Sequence, residues 1–403
     1  MNYLQIAFEQ SILAVGISRP NPAVGAVVVR DGIVVGKGRT QRPGNAHAEV
    51  MALRDAGENA RGAAIYVTLE PCCHYGRTPP CTKAIIEAGI AEVYYAHADP
   101  NPLVRGKSRS ILEEAGIKVF EGLDACEKAV AEESWDDYCG SEGCKVLSSP
   151  IDPEASRAEL RAESRMLFHE IERFFEAYDY FVRNKATFVE IKSAISQDGF
   201  MGVALADASH APLKITAQGA NCWNHELRSM SDAVLVGAGT LLADNPKLDV
   251  RFAQGNSPVK ILWAGHHVFA ASEMDSLHFF ESHENSAETR IVFSCVEQPN
   301  VKNVEVVLLT HATFAENWKD LLADLARRGM HRLMVEPGAR LASALFECGM
   351  WNRLDLWQSS DASVERSLDG PGREGIPYPE LPCGVVAKES FMVGPDVLTV
   401  YEK

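Results

Sequence analysis

A histidine and two cysteines occupy element boundaries in the first quarter of the chain. His47 opens a predicted helix, Cys72 follows a strand predicted at 64–69, and Cys81 begins a helix predicted at 81–88. Zinc prefers imidazole and thiolate ligands, and a catalytic zinc site uses three protein ligands and leaves its fourth position to water. This pattern predicts an α/β fold in which two helix starts and one strand end meet at a metal.

Glu49 stands two residues after His47. Zinc lowers the pKa of bound water from about 15.7 towards about 7, and a nearby carboxylate can take the water proton and deliver protons to a ring nitrogen and to departing ammonia. A His-x-Glu segment with a later Pro-Cys-x-x-Cys segment is the signature of zinc nucleobase deaminases, in which the Glu is not a ligand. This chain has the His-x-Glu and the Pro-Cys, with eight residues between that Cys and its second Cys. The pattern predicts hydrolytic deamination of an amino-substituted pyrimidine ring, with Glu49 as the acid and base.

A closed, structural zinc site is the alternative interpretation, because Cys73 or His74 could supply a fourth ligand. Such a site would stabilise the fold and would have no use for Glu49. The strand and the proline directly before Cys72 favour the catalytic interpretation.

The chain of 403 residues is too long for one ordinary core, which predicts two domains. Its net charge of −16 opposes unaided binding to nucleic acid and favours small-molecule substrates. The sequence has neither a basic, apolar leader nor an apolar run of the roughly 18 residues needed to cross a bilayer, so no membrane partner is expected. Ten cysteines without a secretion signal are expected to be reduced thiols and metal ligands, which predicts a cytoplasmic protein.

Short apolar runs alternate with helical patterns in both halves of the chain, as in layered α/β domains. We predict a first domain at 1–145, a helical connector at 146–184 and a second domain at 185–403. The connector carries apolar residues mostly three or four positions apart among many charges, which predicts an amphipathic helix that packs between the domains. The predicted strands lie at 23–29, 32–35, 64–69 and 93–96, and at 188–195, 233–236, 259–263, 290–294, 304–309 and 332–336.

Four segments of the first domain resemble the bifunctional deaminase-reductases of riboflavin biosynthesis: RPNPAVG (19–25), NAHAEV (45–50), TLEPCCHYGRTPPC (68–81) and DPNP (99–102). The eight residues between Cys72 and Cys81 are the specific part, since most cytidine and tRNA deaminases have two. The resemblance implies a cytidine-deaminase-like three-layer domain with one zinc ion on His47, Cys72 and Cys81. It also implies a substrate, 2,5-diamino-6-(5-phosphoribosylamino)pyrimidin-4(3H)-one, which loses its amino group at C2.

The same resemblance implies residues that bind this substrate. It places Asn21, His74, Asp99 and Asn101 beside the base or the ribose, and Arg77 at the phosphate, where a permanently charged guanidinium suits an anion. Each of these residues could instead be a turn residue that bonds its own backbone.

The second domain resembles the reductase half of the same family in Arg228 and in five segments: KSAISQDG (192–199), VGAGT (236–240), DNPKLDVR (244–251), VEPG (335–338) and GPDV (394–397). The resemblance implies a dihydrofolate-reductase-like fold that moves hydride from NADPH to the ribose C1 of 5-amino-6-(5-phosphoribosylamino)uracil. No G-x-G-x-x-G segment opens a helix, so a nicotinamide cofactor must bind in a fold other than the Rossmann type.

Site residues of the second domain also come from the resemblance. Those beside the cofactor are Ala194, Thr240, Asp244 and the stretch from Gly338 to Ala344, in particular Gly338, Ala339, Arg340 and Leu341. Those beside the substrate are Lys192, Arg228, Leu248, Arg251 and Glu336. Two arginines suit one phosphate, whereas Lys192 could either polarise the sugar or simply be a buried lysine paired with an acid.

Three positions depart from the family's pattern. Pro212 and Lys214 stand where the family has Ser and Trp, and Pro337 removes a backbone donor. Three interpretations follow: a bifunctional enzyme, an active deaminase with an impaired or diverged reductase domain, and a non-enzymatic zinc-stabilised or nucleic-acid-binding module. The resemblance further implies a homo-oligomer assembled through the second domain.

Overall fold

A computed structural model describes residues 2–130, 153–205, 210–211, 215–281, 290–360 and 373–403. The chain forms two compact units, Met1–Arg183 and Asn184–Lys403. The domain boundary predicted at 145 and the departures at Pro212 and Lys214 lie outside the described residues. The described part of the connector up to Arg183 belongs to the first unit.

A five-stranded sheet in the order β2-β1-β3-β4-β5 forms the first unit. β1 pairs antiparallel with β2 and β3, whereas β3, β4 and β5 run parallel. The strands are β1 (Gly25–Arg30), β2 (Ile33–Arg39), β3 (Ala64–Leu69), β4 (Glu92–His97) and β5 (Lys118–Glu121). The helices are α1 (Tyr3–Ile12), α2 (Ala48–Ala56), α3 (Cys81–Ala88), α4 (Lys107–Glu114) and α5 (Gly122–Lys128), with a short 3-10 helix at Gly57–Ala60.

Two glycines show that helices cover both faces of this sheet. A Cβ at Gly25 would lie 1.9 Å from the Ala7 carbonyl oxygen of α1, and a Cβ at Gly38 would lie 2.2 Å from the Ala48 carbonyl oxygen of α2. Gly38 pairs with Ala26, the strand neighbour of Gly25, and successive residues of a strand point to opposite faces. The first unit is therefore a three-layer α/β/α structure in which only glycine permits so close an approach.

The long helix α6 (Pro153–Asn184) ends the first unit. Leu167, Ile171, Phe174 and Phe175 are buried along one side of it, as the apolar spacing predicts. Phe174 packs edge-on against Phe8 of α1, with ring centroids 5.3 Å apart. This helix is therefore a packed layer of the first unit.

A nine-stranded sheet forms the second unit in the order β12-β11-β10-β9-β13-β6-β14-β17-β16. The pairs from β12 to β14 are parallel, and β17 joins β14 and β16 antiparallel. Its strands are β6 (Phe188–Ile195), β9 (Ala233–Gly237), β10 (Val259–Gly265), β11 (Arg290–Ser294), β12 (Val304–Leu308), β13 (Arg332–Glu336), β14 (Arg353–Gln358), β16 (Val386–Val393) and β17 (Asp396–Glu402).

The remaining elements of the second unit surround this sheet. A three-stranded sheet contains β7 (Phe200–Leu205), β8 (His210–Ala211) and β15 (Arg373–Pro377). The helices are α7 (Gln218–Ser229), α8 (Ala238–Asp244), α9 (Ala271–Ser276), α10 (Phe314–Arg327) and α11 (Ala339–Cys348). Because the parallel strands share one direction, the carboxyl ends of β6, β9, β10 and β13 meet at one edge, where ligands bind in open α/β sheets.

The strands predicted from the apolar runs are confirmed to within a few residues in both units. The sequence pattern missed α1, α4, α5 and β5 in the first unit, as well as α8, α9, β7, β8 and the strands β14 to β17 in the second. Within the ranges that the structure describes, no helix is both long and apolar enough to span a bilayer.

Candidate active sites

The donor atoms of His47, Cys72 and Cys81 lie within 4.8 Å of one another. Nδ1 of His47 lies 3.5 Å from Sγ of Cys72 and 3.3 Å from Sγ of Cys81. A tetrahedral zinc ion, with Zn–S near 2.3 Å and Zn–N near 2.0 Å, places nitrogen and sulfur ligands about 3.6 Å apart. The donor set therefore has the chemistry and the spacing of three corners of a zinc site.

A fourth protein ligand is absent from this group within the described ranges. The Cys73 thiol instead contacts the carbonyl oxygen of Leu103, with its sulfur 3.5 Å away. His74 also lies outside the group. The geometry therefore lacks the fourth corner that a closed structural site requires.

Local structure places each of the three donors. Cys81 is the first residue of α3, after Pro80 in extended conformation, and its backbone N–H donates to Sγ of Cys72 over 3.3 Å. The positive end of the α3 dipole thus faces a thiolate. His47 directly precedes α2, and the close approach of α2 to Gly38 sets the position of that helix start on the sheet.

The three donor groups share protons through hydrogen bonds. Bonds from Cys81 and His47 lower the pKa of Cys72 to about 4. The bond to Cys72 raises the pKa of His47 to about 9, and the bond to Cys72 together with burial raises the pKa of Cys81. A divalent cation can replace such shared protons, because thiolates and a neutral imidazole are the ligand forms.

Thr78 orients the His47 ring. Its hydroxyl lies 3.3 Å from Nε2 of His47, which leaves Nδ1 facing the two sulfurs. Partners of this kind fix the orientation of a ligand imidazole. Sequence reasoning did not single out Thr78, although it lies within the eight-residue segment between the cysteines.

Glu49 is only 4% exposed, in the first turn of α2. Burial raises the pKa of its carboxyl group to about 7, and the negative charge of Cys72 adds to that effect. Cys72, His47 and Cys81 all act electrostatically on this carboxyl group, so it lies close to the donor set. A carboxyl group whose pKa is near neutrality can both accept and donate protons during a reaction.

The turn after β4 carries Asp99 and Asn101. The Asp99 carboxylate accepts from the Asn101 N–H over 2.8 Å, and the Asn101 side-chain oxygen accepts from the Leu103 N–H over 3.1 Å. Both residues thus satisfy their own backbone, as the turn interpretation expects, although each keeps further polar capacity. Asp99 also lies within electrostatic range of Cys72, and burial raises the pKa of Asp99 to about 6.

Glu70 fixes this turn, and sequence reasoning missed its role. Its buried carboxylate accepts from the backbone N–H groups of Asp99, Gly106 and Ser108, over distances of 3.0 to 3.4 Å. The signal was present in the sequence, because Glu70 stands between β3 and Cys72. The Glu70 carboxylate therefore connects the segment that carries Cys72 to the turn that carries Asp99 and Asn101.

The other predicted residues of this site are less constrained. Nδ1 of His74 is buried without a hydrogen-bond partner in the described structure, so it remains available to a ligand. Arg77 is exposed and Asn21 is half-buried. Within the described ranges, no hydrogen bond joins Asn21 or Arg77 to the donor set.

Two adjoining cavities lie at the carboxyl ends of the strands in the second unit. The first has a volume of about 550 Å³, and its lining includes Lys192, Ala194 and Glu336. The second has a volume of about 630 Å³, and its lining includes 237–240 and 338–341. Thr240 and Asp244 line both cavities, so the predicted cofactor and substrate residues come together along a continuous wall.

Helix starts form part of the second cavity. Gly237 precedes α8 and Gly338 precedes α11. A Cβ at Gly338 would lie 3.0 Å from Oγ1 of Thr240, so glycine allows these two starts to approach each other. Helix N-termini that point towards a cavity suit phosphate groups.

Three predicted substrate residues do not line either cavity. Arg228 donates through Nε and Nη2 to Glu336 over 2.7 and 2.9 Å, and through Nη1 to the Asp249 carbonyl oxygen. Leu248 is fully buried in the core, which leaves only its backbone for a ligand contact. Arg251 is exposed and lies 3.1 Å from an Asp249 carboxylate oxygen.

Charge is concentrated around Glu336. Although burial opposes ionisation, Arg228 holds the pKa of Glu336 below its usual value. Burial lowers the pKa of Lys192, while Glu336 partly offsets that effect. Sequence reasoning missed several lining residues that no motif marks: Asn221, Phe252, Trp263, His266, His267 and Phe314.

Two family models match the chain. The model for the cytidine and deoxycytidylate deaminase zinc-binding region matches residues 1–97, and the model for the RibD C-terminal domain matches residues 187–360. The predicted pairing of a deaminase domain with a reductase domain is thereby confirmed. No match favours an impaired reductase.

Relatives match nearly the whole chain. A riboflavin biosynthesis protein RibD from Aquifex aeolicus is 33% identical over 361 residues, covering 88% of this chain and 85% of that protein. Another, from Actinobacillus pleuropneumoniae, is 29% identical over 409 residues, covering 100% and 94%. A solved Thermotoga maritima deaminase/reductase is 27% identical, with a TM-score of 0.66 and coverage of 99% and 97%.

Proposed function

We propose, since the chain belongs to the RibD family of riboflavin biosynthesis enzymes, that it deaminates 2,5-diamino-6-(5-phosphoribosylamino)pyrimidin-4(3H)-one and then reduces the product. The Thermotoga maritima relative is named a diaminohydroxyphosphoribosylaminopyrimidine deaminase and a 5-amino-6-(5-phosphoribosylamino)uracil reductase. The two matched domains fit zinc and NADPH. The observation that carries the proposal is the three-donor set with Glu49 beside it.

His47 through Nδ1, Cys72 and Cys81 would hold the zinc ion. Bound there, zinc would make a water molecule nucleophilic at neutral pH. Glu49 takes the proton from the attacking water and delivers protons to the ring nitrogen and to the leaving amine. Water adds at C2, the C2–N bond breaks, and ammonia leaves.

Recognition of the base falls to polar groups around the donor set. His74 has a buried Nδ1 without a protein partner, and Asp99 and Asn101 keep unused polar capacity. Asn21 completes this proposed group. Arg77, exposed and in the same segment as Thr78, would bind the phosphate, because a guanidinium can donate two parallel hydrogen bonds.

The cavities of the second unit would hold the reductive step. Bound NADPH would supply hydride to the ribose C1, while the bond between C1 and the ring oxygen breaks and that oxygen takes a proton. Lys192 lines the cavity, and its lowered pKa suits a residue that donates the proton. Ala194 and Glu336, which line this cavity, would lie beside the ligands, with Arg228 holding Glu336 in place. Leu248 would contribute its backbone alone.

The second cavity offers nitrogen-bearing side chains for the cofactor. Arg340, His266 and His267 line it, together with the starts of α8 and α11. The helix starts, with Gly338, Ala339 and Leu341, would take the diphosphate, because backbone N–H groups point outward there. Arg340 and His266, both exposed, would take the additional phosphate that distinguishes NADPH from NADH.

We propose a cellular location and an oligomeric state for the enzyme as well. Two thiolate ligands require a reducing compartment, and the eight described cysteines are free thiols, which supports a cytoplasmic location. We also propose a homo-oligomer assembled through the second unit. Small-molecule pyrimidines are the substrates of this family.

A coupled assay tests the function directly. The purified, zinc-loaded protein is incubated with the diaminopyrimidine substrate, and ammonia and NADPH absorbance are followed with and without NADPH. We expect ammonia in both cases and NADPH oxidation only after deamination. Ammonia release with no NADPH oxidation would support an enzyme with an impaired reductase and contradict the second half of the proposal.

A further inference from the structure

His97, the last residue of β4, lies between two carboxylates of α6. Its Nδ1 is hydrogen-bonded to Glu172, and its Nε2 lies 2.9 Å from Oδ1 of Asp179. The ring also stacks on Phe175, with centroids 5.1 Å apart and planes 10° from parallel. His97 is 7% exposed, and its ring is covered by these contacts with α6.

This geometry determines the protonation state of the ring. A carboxylate only accepts hydrogen bonds, and a neutral imidazole has a single N–H. Because both ring nitrogens face carboxylate oxygens, both must carry protons, and His97 is an imidazolium. Arg183 donates to the other oxygen of Asp179 over 2.8 Å, so the four charged groups balance.

The imidazolium lies next to the proposed substrate turn. Asp99 follows His97 by two residues, and the His97 carbonyl oxygen accepts from the Glu70 N–H over 2.8 Å. Glu70 in turn accepts from the N–H groups of Asp99 and Gly106. Tyr178, one residue before Asp179, lies within electrostatic range of both Asp99 and Cys72. Helix α6 therefore approaches the deaminase site through His97.

We propose that His97 is a positioning residue that joins α6 to the end of β4 and so holds the Asp99 turn where the deaminase substrate needs it. This inference rests on the proposed function, because it takes Asp99 and Asn101 as substrate residues. Helix α6 then helps to position the substrate residues of the deaminase site, in addition to packing as a layer of the first unit.

The contact depends on pH. Burial alone would lower the pKa of His97, but hydrogen bonds to Asp179 and Glu172 outweigh burial and raise it to about 9. A pKa raised by folding stabilises the contact fully below the unfolded value of 6.5, and this stabilisation falls until it is lost above about 9. The carboxylates that face the ring are Glu172 and Asp179 of α6. Arg183 of α6 donates to Asp179, Cys126 of α5 lies within electrostatic range of Glu172, and Asp99 lies within electrostatic range of Asp179 and Glu70.

The test compares His97→Met with Glu172→Gln in the full-length zinc enzyme. His97→Met keeps an apolar contact to Phe175 but removes both donors, and we expect the KM for the diaminopyrimidine to rise about tenfold, with kcat and zinc content near those of the wild type. In Glu172→Gln, Asp179 alone holds the imidazolium. We expect its KM to rise at a lower pH than in the wild type, whose KM rises near the His97 pKa of about 9.

Arg165→Ala is the matched control, because it removes an exposed 3.8 Å contact between α6 and Glu127 of α5 and should leave KM unchanged. Hydrogen exchange of 172–183 and 97–104 should accelerate in His97→Met but not in Arg165→Ala. Faster exchange with an unchanged KM would overturn the inference, as would a pH-independent KM in Glu172→Gln. If the wild type releases no ammonia at all, the proposed function fails and the inference falls with it.

Discussion

The two candidate sites are assembled in different ways. The deaminase donors come from two helix starts and one strand end, lie within 4.8 Å of one another, and are backed by the buried groups of Glu49 and Glu70. The reductase cavities gather residues from the carboxyl ends of four parallel strands and have volumes of about 550 and 630 Å³. Charged residues near these cavities form ion pairs with one another, above all Arg228 with Glu336.

This difference separates two kinds of site. A metal centre needs only a few donors at short range, so residue types and spacing are nearly sufficient to define it. A cavity for a dinucleotide and a phosphorylated sugar is an outcome of strand order, and each residue contributes a small part. We therefore expect single changes to abolish the first activity but to weaken the second gradually.

Glu49→Gln should have the largest effect. The amide cannot take the water proton, so ammonia release should fall about 10²- to 10⁴-fold. Zinc content measured by metal analysis, and NADPH oxidation with already deaminated substrate, should be unchanged. Normal ammonia release by this variant would remove Glu49 from the reaction.

Arg228→Ala should mainly affect the stability of the second unit. The buried Glu336 carboxylate would lose its bidentate partner, which costs about 3–5 kcal/mol of unfolding free energy. Denaturant unfolding of the variant measures this loss. The paired change Arg228→Met with Glu336→Leu should recover much of the stability but not NADPH oxidation, and equal stability of the single variant and the wild type would contradict a structural role for the pair.

Thr78→Val should weaken the metal site without removing a ligand. Loss of the hydroxyl at Nε2 leaves the His47 ring less well oriented, which typically costs about 10- to 100-fold in metal affinity or activity. Zinc competition with a chelator measures the affinity. Thr82→Val is the comparison variant, because Thr82 is buried in α3 and valine keeps its backbone N–H bond to the Cys72 carbonyl oxygen. Equal zinc affinity in both variants would argue against the orienting role.

Arg251→Ala tests phosphate recognition in the reductase. We expect about a tenfold higher KM for the phosphorylated uracil, with little change for a dephosphorylated analogue, because a charge-assisted hydrogen bond is lost. Steady-state kinetics with both compounds give the comparison. An equal KM for wild type and variant would place Arg251 outside the site.

His266→Ala should have the smallest effect. We expect a few-fold weaker affinity for NADPH and no change for NADH, because an exposed imidazole contributes little to binding a phosphate. Titration calorimetry with 2′,5′-ADP and 5′-AMP separates the phosphate from the rest of the cofactor. Equal losses for the two nucleotides would mean that His266 contacts another part of the molecule.

More of the deaminase site than of the reductase site could be predicted from the sequence. His47, Glu49, Cys72 and Cys81 stand at element boundaries that apolar periodicity predicts well, so their meeting could be anticipated. The roles of Thr78 and Glu70 could not be predicted, because they depend on which atoms face these side chains after folding. In the second unit, Trp263 and Phe314 look like ordinary core residues, and only the strand order shows that they line a cavity.

The position of strand β17 in the sheet affects how the protein folds during translation. This strand lies between β14 and β16, and the Asp396 carboxylate at its start accepts from the N–H of Ala217, beside the first reductase cavity. The deaminase domain can therefore fold once α6 has been translated. The central sheet of the reductase domain cannot be completed until β17 has been translated. Truncation before residue 396 should then yield a deaminase tethered to an unfinished partner.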